Sequence, residues 1–89
     1  MKAIKIKMKS GCKDSKRTWE IDSIYIDDFY SYKKKEDVYD YLVKNPYSIQ
    51  VNLYPYPFLQ PVNSNIRGKY VRSQPNDTEN DNLLKLPRE

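Results

Sequence analysis

The sequence predicts a small α+β domain of order β-β-α-β-β, with a mostly antiparallel sheet and one helix packed on one face. Three observations carry that prediction. Lysine alternates with apolar residues across 2–9, aliphatic residues alternate with polar ones across 47–54, and apolar residues recur at three-to-four spacing across 33–45. A period of two marks a half-buried strand, and a period near 3.6 marks an amphipathic helix.

In the first run, Ile4, Ile6 and Met8 share one face, and Lys5, Lys7 and Lys9 share the other. "GCKDSK" (11–16) then supplies turn chemistry. A second strand is expected over "RTWEIDSIYI" (17–26), antiparallel to the first. Its pattern changes phase midway: Trp19 and Ile21 sit at odd positions, Ile24 and Ile26 at even ones. One extra residue at a β-bulge near Asp22 and Ser23 would restore a single buried face. With Trp19 buried, Trp19→Ala should cost about 3–5 kcal/mol and unfold the domain.

The helix is expected over "KKKEDVYDYLVKN" (33–45), with Val38, Tyr41 and Leu42 on its apolar stripe and Ser31 as a candidate N-cap. Glu36 and Asp37 near its start and Lys44 near its end suit the helix dipole. Asn45-Pro46 ends it, because proline cannot continue a helix. "YSIQVNLY" (47–54) is a third strand with Ile49, Val51 and Leu53 inward, and "GKYVRS" (68–73) a fourth with Val71 opposite Tyr70 and Arg72. Between them, 54–67 reads as an inserted loop. Residues 74–89 read as a polar turn, "QPNDTEND", and a tail in which Asp81 caps a short segment carrying Leu83, Leu84 and Leu86.

Composition narrows the function classes. At 89 residues the chain is a single domain, 1–89. So short a chain buries only about 60% of its unfolded surface, so its core is small. A net charge of +4 permits an acidic partner without selecting one. With one cysteine and no histidine, there is no internal disulfide, no cysteine zinc cluster and no histidine acid–base chemistry. No apolar run reads as a signal peptide or a membrane span, so a cytoplasmic protein is expected.

The C-terminal segment "GKYVRSQPNDTENDNLLKLPRE" resembles the end of a small family of uncharacterised bacterial and phage proteins, classed only as a domain of unknown function. Members close with Tyr-(Leu/Ile/Val)-Arg-(Ser/Thr)-x-Pro-(Asp/Asn), a few polar residues, then Asp-Asn-Leu-x-x-Leu-Pro. The matching positions are Tyr70, Val71, Arg72, Ser73, Pro75 and Asn76, then Asp81, Asn82, Leu83, Leu86 and Pro87. The resemblance covers about a quarter of the chain and implies no activity. It does imply a short turn between the third and fourth strands, so the dozen or so residues around "PYPFLQPVNSN" read as an insertion outside what the family shares.

That insertion holds the strongest candidate site. Pro55 and Pro57 restrict their own φ and push Tyr54 and Tyr56 toward extended backbone. The segment is stiff before it meets a partner, and tyrosine and phenylalanine give large contact area for little rotamer entropy. The expected contact residues are Tyr54, Tyr56, Phe58 and Leu59, with the exposed faces of Tyr30 and Tyr32. The plainer alternative, evenly balanced for Phe58 and Leu59, is that these two fold onto the core.

A basic face on the first strand, Lys5, Lys7 and Lys9, is the second candidate. It could contact phosphates while nearby tyrosines stack bases. A solvated strand face that resists edge pairing accounts for it more simply. The acids Asp22, Asp27, Asp28, Glu36, Asp37 and Asp40 lack metal-loop spacing and read as solvated positions or caps, so no cofactor or metal is expected. Cys12 has no histidine to activate it. Arg72 and Asp81 are expected to form an ion pair that pins the tail.

The expected function is a non-catalytic protein-binding module of a phage or mobile-element type, monomer or homodimer. One role for it would be an inhibitor of a host defence protein acting by steric occupation. The alternative is a nucleic-acid-binding module using the basic strand face.

Overall fold

Strand β1 (Lys2–Met8) lies at the centre of a four-stranded sheet. The computed structural model describes residues 1–74 and 81–89; Pro75, Asn76 and most of the expected polar turn lie outside the described residues. β2 (Ile21–Ile26) pairs antiparallel with β1, and β3 (Ser31–Lys34) antiparallel with β2. Helix α1 (Lys35–Lys44) follows directly, and β4 (Gln50–Val51) then runs parallel to β1, giving the order β3-β2-β1-β4. β5 (Leu59–Ser64) and β6 (Gly68–Ser73) form a separate antiparallel hairpin. Among the described residues this is a small α+β fold with one α-helix and mostly antiparallel strands.

The phase change in the second strand is a bulge at Asp22. Ser23 faces Lys7 and Ile21 faces Met8, which leaves Asp22 as the extra residue and keeps Ile21, Ile24 and Ile26 all buried. Trp19 is not part of that strand; it sits half-buried in a 3₁₀ turn, Thr18–Glu20. A second bulge corrects the first strand. Ala3 faces Ile26 and Lys5 faces Tyr25, so Ile4 is the extra residue. Ala3 and Ile6 are therefore the fully buried pair, with Ile4 and Met8 half-buried.

The helix buries Val38 and Leu42, one turn apart, and packs mainly against β5 and β6. Its N-cap is Lys34, with no side-chain capping bond. Ser31, expected as the cap, belongs to β3, where pairing with Ile26 satisfies the backbone instead. At the other end the Asn45 N–H and side-chain amide both donate to the Tyr41 carbonyl, at 2.8 and 3.2 Å, and Pro46 prevents continuation.

The segment expected as a loop over 54–67 is a tight turn followed by β5, which pairs residue for residue with β6 from Leu59–Ser73 to Ser64–Gly68. The C-terminal segment closes the molecule. Asp81 caps the 3₁₀ turn Asn82–Lys85 by accepting from the Leu83 N–H, and Leu83, Leu84 and Leu86 complete the core. The last residues lie along the free edge of β1 beyond β4. There the Ile6 N–H donates to the Pro87 carbonyl (2.9 Å) and the Glu89 N–H to the Ile6 carbonyl (3.1 Å). Covering an edge in this way removes unpaired donors that would otherwise template aggregation.

No ion pair joins Arg72 to Asp81. The Asp81 carboxylate instead accepts from the Ser73 N–H (3.1 Å) and Ser73 hydroxyl (2.6 Å) as well as from Leu83, so it ties the end of β6 to the tail through neutral donors. Arg72 is exposed on the opposite strand face.

Candidate protein-binding turn

The residues between β4 and β5 are held from beneath by a closed set of hydrogen bonds. The Tyr56 N–H donates to the Leu53 carbonyl (2.6 Å), the Val51 N–H to the Pro57 carbonyl (2.8 Å) and the Gln50 side chain to the Tyr56 carbonyl (3.1 Å). The Asn82 side chain donates to the Tyr54 carbonyl at 3.1 Å. The Tyr54–Pro55 peptide is cis, and Tyr56 has φ +60°. Tyr56 is thus in the left-handed region, not the extended conformation expected before proline.

The rings of this braced turn point outward. Tyr54 is 82% exposed and Tyr56 44%. Their rings meet edge to face at 6.3 Å, and the Lys2 ammonium lies 5.2 Å from the Tyr56 ring centre. Phe58 is half-buried and bridges to Gln50; its ring meets Tyr47 edge to face at 5.8 Å. Leu59 is in the core and unavailable to a partner. The contact set from the sequence is corrected in that member: the plainer reading, in which spare apolar groups are recruited inward, holds for Leu59 and half-holds for Phe58.

Tyr47 was missed in the sequence, where it read as the start of a strand. It is 63% exposed with φ +58°, beside a shallow groove of about 330 Å³ whose walls include Leu42, Val43, Pro46 and Pro61. The patch therefore comprises Tyr47, Tyr54, Tyr56 and part of Phe58. Tyr30 and Tyr32 are not part of it. They belong to the β3 edge, across the sheet from β4. Tyr30 is 84% exposed with φ +50°. Tyr32 packs edge to face on Tyr25, and burial, then the Glu89 carboxylate, push its phenol pKa up; the hydroxyl makes no hydrogen bond of good geometry.

The lysine face differs from its expectation. The Lys5 ammonium lies 4.8 Å from the Tyr25 ring centre and the Lys7 ammonium 4.6 Å from that of Tyr32. Both ammoniums pair with Glu89, at 3.5 and 3.9 Å. The tail thus partly neutralises this face and lies over it, while Lys9 stands apart and exposed.

The carboxylates are dispersed into structural duties. Asp22 pairs with Lys34, Asp40 with Lys69 and Glu36 with Lys35, while Asp27 accepts from the Lys2 N–H. Among the described residues, no group of three or more metal-ligating side chains is gathered. The Cys12 thiol donates to Glu20 at 3.2 Å, which pushes its pKa up and keeps it in its less nucleophilic form. Among the described residues, no helix is long and apolar enough to cross a membrane.

A family model described as "Protein of unknown function (DUF3892)" matches residues 57–87, about a third of the chain. No similarity to a curated protein or to a solved structure is found. The matched span runs from Pro57 through the β5–β6 hairpin to the leucine segment. Most of the stretch expected to be an insertion therefore lies inside the shared region, and only Tyr54, Pro55 and Tyr56 of the turn precede it.

Proposed function

We propose that this chain is a non-catalytic protein-binding module whose contact surface is the aromatic patch of Tyr54, Tyr56, Tyr47 and Phe58. The observation that carries the reading is the display of the Tyr54 and Tyr56 rings in solvent on a turn braced by hydrogen bonds at Leu53, Tyr54, Tyr56 and Pro57. Such a turn loses little conformational entropy on docking, and rigid aromatic side chains are the commonest anchors of protein interfaces.

Backbone strain supports it. Tyr47 and Tyr56, both in the patch, occupy left-handed φ, where glycine would be easier by about 1 kcal/mol. Neither ring is buried in the core, so folding gains little from keeping a tyrosine there. Strain of this kind concentrates at sites retained for function. The engagement of Asp22, Asp27, Glu20, Asp40 and Asp81 in structural bonds supports the non-catalytic part of the proposal.

The mode of action is steric occupation of a partner's groove. Its specific form, for a chain of phage or mobile-element type, is inhibition of a host defence protein. Affinity capture with wild type and with a Y54S/Y56S variant tests the reading. A protein retained by wild type, lost with the variant and insensitive to moderate salt is expected. Equal recovery by both would contradict it.

A further inference from the structure

We infer that the end of the molecule carrying Trp19 binds the phosphodiester backbone of nucleic acid, with Arg17 and Arg67 as its phosphate contacts. The Arg67 guanidinium carbon lies 4.6 Å from the Trp19 ring centre and that of Arg17 5.9 Å, while Tyr70 meets the indole edge to face at 6.0 Å. A guanidinium resting on an aromatic ring keeps its in-plane N–H groups free, and those groups match a phosphate's oxygens two at a time. The ring also restricts the arginine rotamers before any ligand arrives, so less entropy is lost on binding.

The supports on either side are fixed. The Arg17 N–H donates to the Ser15 hydroxyl (3.0 Å), and the Ser64 hydroxyl accepts from the N–H groups of Ile66 and Arg67 (3.2 and 3.1 Å) at the hairpin tip. Gly68, with φ +74°, closes that tip.

Charge selects the ligand. Among the described residues, neither Arg17, Arg67 nor Arg72 has an ion-pair partner, whereas Lys5, Lys7, Lys34, Lys35 and Lys69 all do. Arg72 projects from the same face of β6 as Tyr70, but it faces Gln60 at the aromatic-turn end of the hairpin and so lies outside the Arg17–Arg67 cluster. Lys9, Lys13 and Lys16 are exposed on the loop leading into the 3₁₀ turn, and that loop surrounds a cleft of about 480 Å³. Two acids stand among these cations: Asp14, and Glu20, which stays charged while it accepts from Ser15 and Cys12, so the cations still outnumber the carboxylates around the cleft. A single carboxylate would use one of these cations; a chain of regularly spaced phosphates uses them together. The basic region anticipated on β1 is thus displaced to the opposite end of the β5–β6 hairpin from the aromatic turn, and the two surfaces are independent.

The test is fluorescence anisotropy of labelled single-stranded and double-stranded oligonucleotides over a salt series. Trp19 is the chain's one tryptophan, and its emission gives a second readout from within the site. The expected result is binding that weakens steeply with salt. R17A and R67A should each weaken it several-fold and lower the log–log salt slope by about one. R67K, which keeps the charge but loses the plane, should also weaken binding. K5A/K7A and Y54S/Y56S should leave it unchanged, the latter separating this surface from the aromatic turn. Both arginines are exposed, and a melting curve for each variant verifies its fold. Absence of binding at low salt, indifference to R17A and R67A, or loss in K5A/K7A would overturn the inference. Equal competition by polyglutamate would overturn the nucleic-acid assignment in favour of an acidic protein.

Discussion

Asn82, 1% exposed, donates its side-chain amide to the Tyr54 carbonyl at 3.1 Å. A buried polar group in the C-terminal segment therefore holds the turn that presents the aromatic patch. The Asp81-Asn82-Leu83 stretch acts at three levels: Asp81 caps and ties β6, Asn82 braces the turn, and Leu83 fills the core.

Asn82→Ala should cost about 1–3 kcal/mol, because it leaves a carbonyl short of a donor and opens a small void. Urea denaturation gives the magnitude. Hydrogen exchange should show the loosening concentrated at residues 53–57. A loss of stability with unchanged exchange there would show that Asn82 does not support the turn.

Trp19→Ala should leave the domain folded. The indole is half-buried on Tyr70 and lies outside the hydrophobic core, so the expected cost is about 1–2 kcal/mol. This revises the unfolding expected from a Trp19 buried in a strand. A cooperative melt at reduced temperature is the predicted observation; an unfolded variant would place the ring in the core.

Asp27 makes stability depend on pH. Its carboxylate accepts from the Lys2 N–H (2.8 Å) and the Asp28 N–H (2.7 Å), and the Lys2 bond foremost holds its pKa below the ordinary value. A depressed folded-state pKa gives stability that is present above the unfolded value, about 3.9, and is lost as pH falls through the folded one. Asp27→Asn should thus destabilise most at neutral pH, and the difference from wild type should shrink as pH falls below about 4 and vanish only below the lower folded-state value. Denaturation midpoints across that range check the sign.

Much of the framework was legible because its signals are local. Gly68–Ser73 was readable from the alternation of Val71 with Tyr70 and Arg72, and the Asp22 bulge from the shift between Ile21 and Ile24. The Ile4 bulge was overlooked because Lys5, Lys7 and Lys9 alternate cleanly; its signal is the three-residue step from Lys2 to Lys5, where Ala3 and Ile4 stand side by side. Ser31–Lys34 carries no aliphatic residue, so an edge strand looked like the start of a helix. Leu59–Ser64 contains Pro61 and few apolar residues, so it looked like a loop; its strand character comes from pairing with β6. At the candidate site, Tyr54 and Tyr56 were readable from their prolines. Tyr47, Asn82 and the Arg17–Trp19–Arg67 group were not, since each depends on contacts between segments far apart in the chain.

The most direct test places a photo-crosslinking amino acid at position 54 in cells, with a matched control at Asn63 on the exposed part of β5. One protein captured from position 54, not from 63, and lost when Tyr56 is also changed to serine is the predicted result. No adduct from position 54, or the same adducts from both positions, would contradict the assignment of this turn as a protein-binding surface.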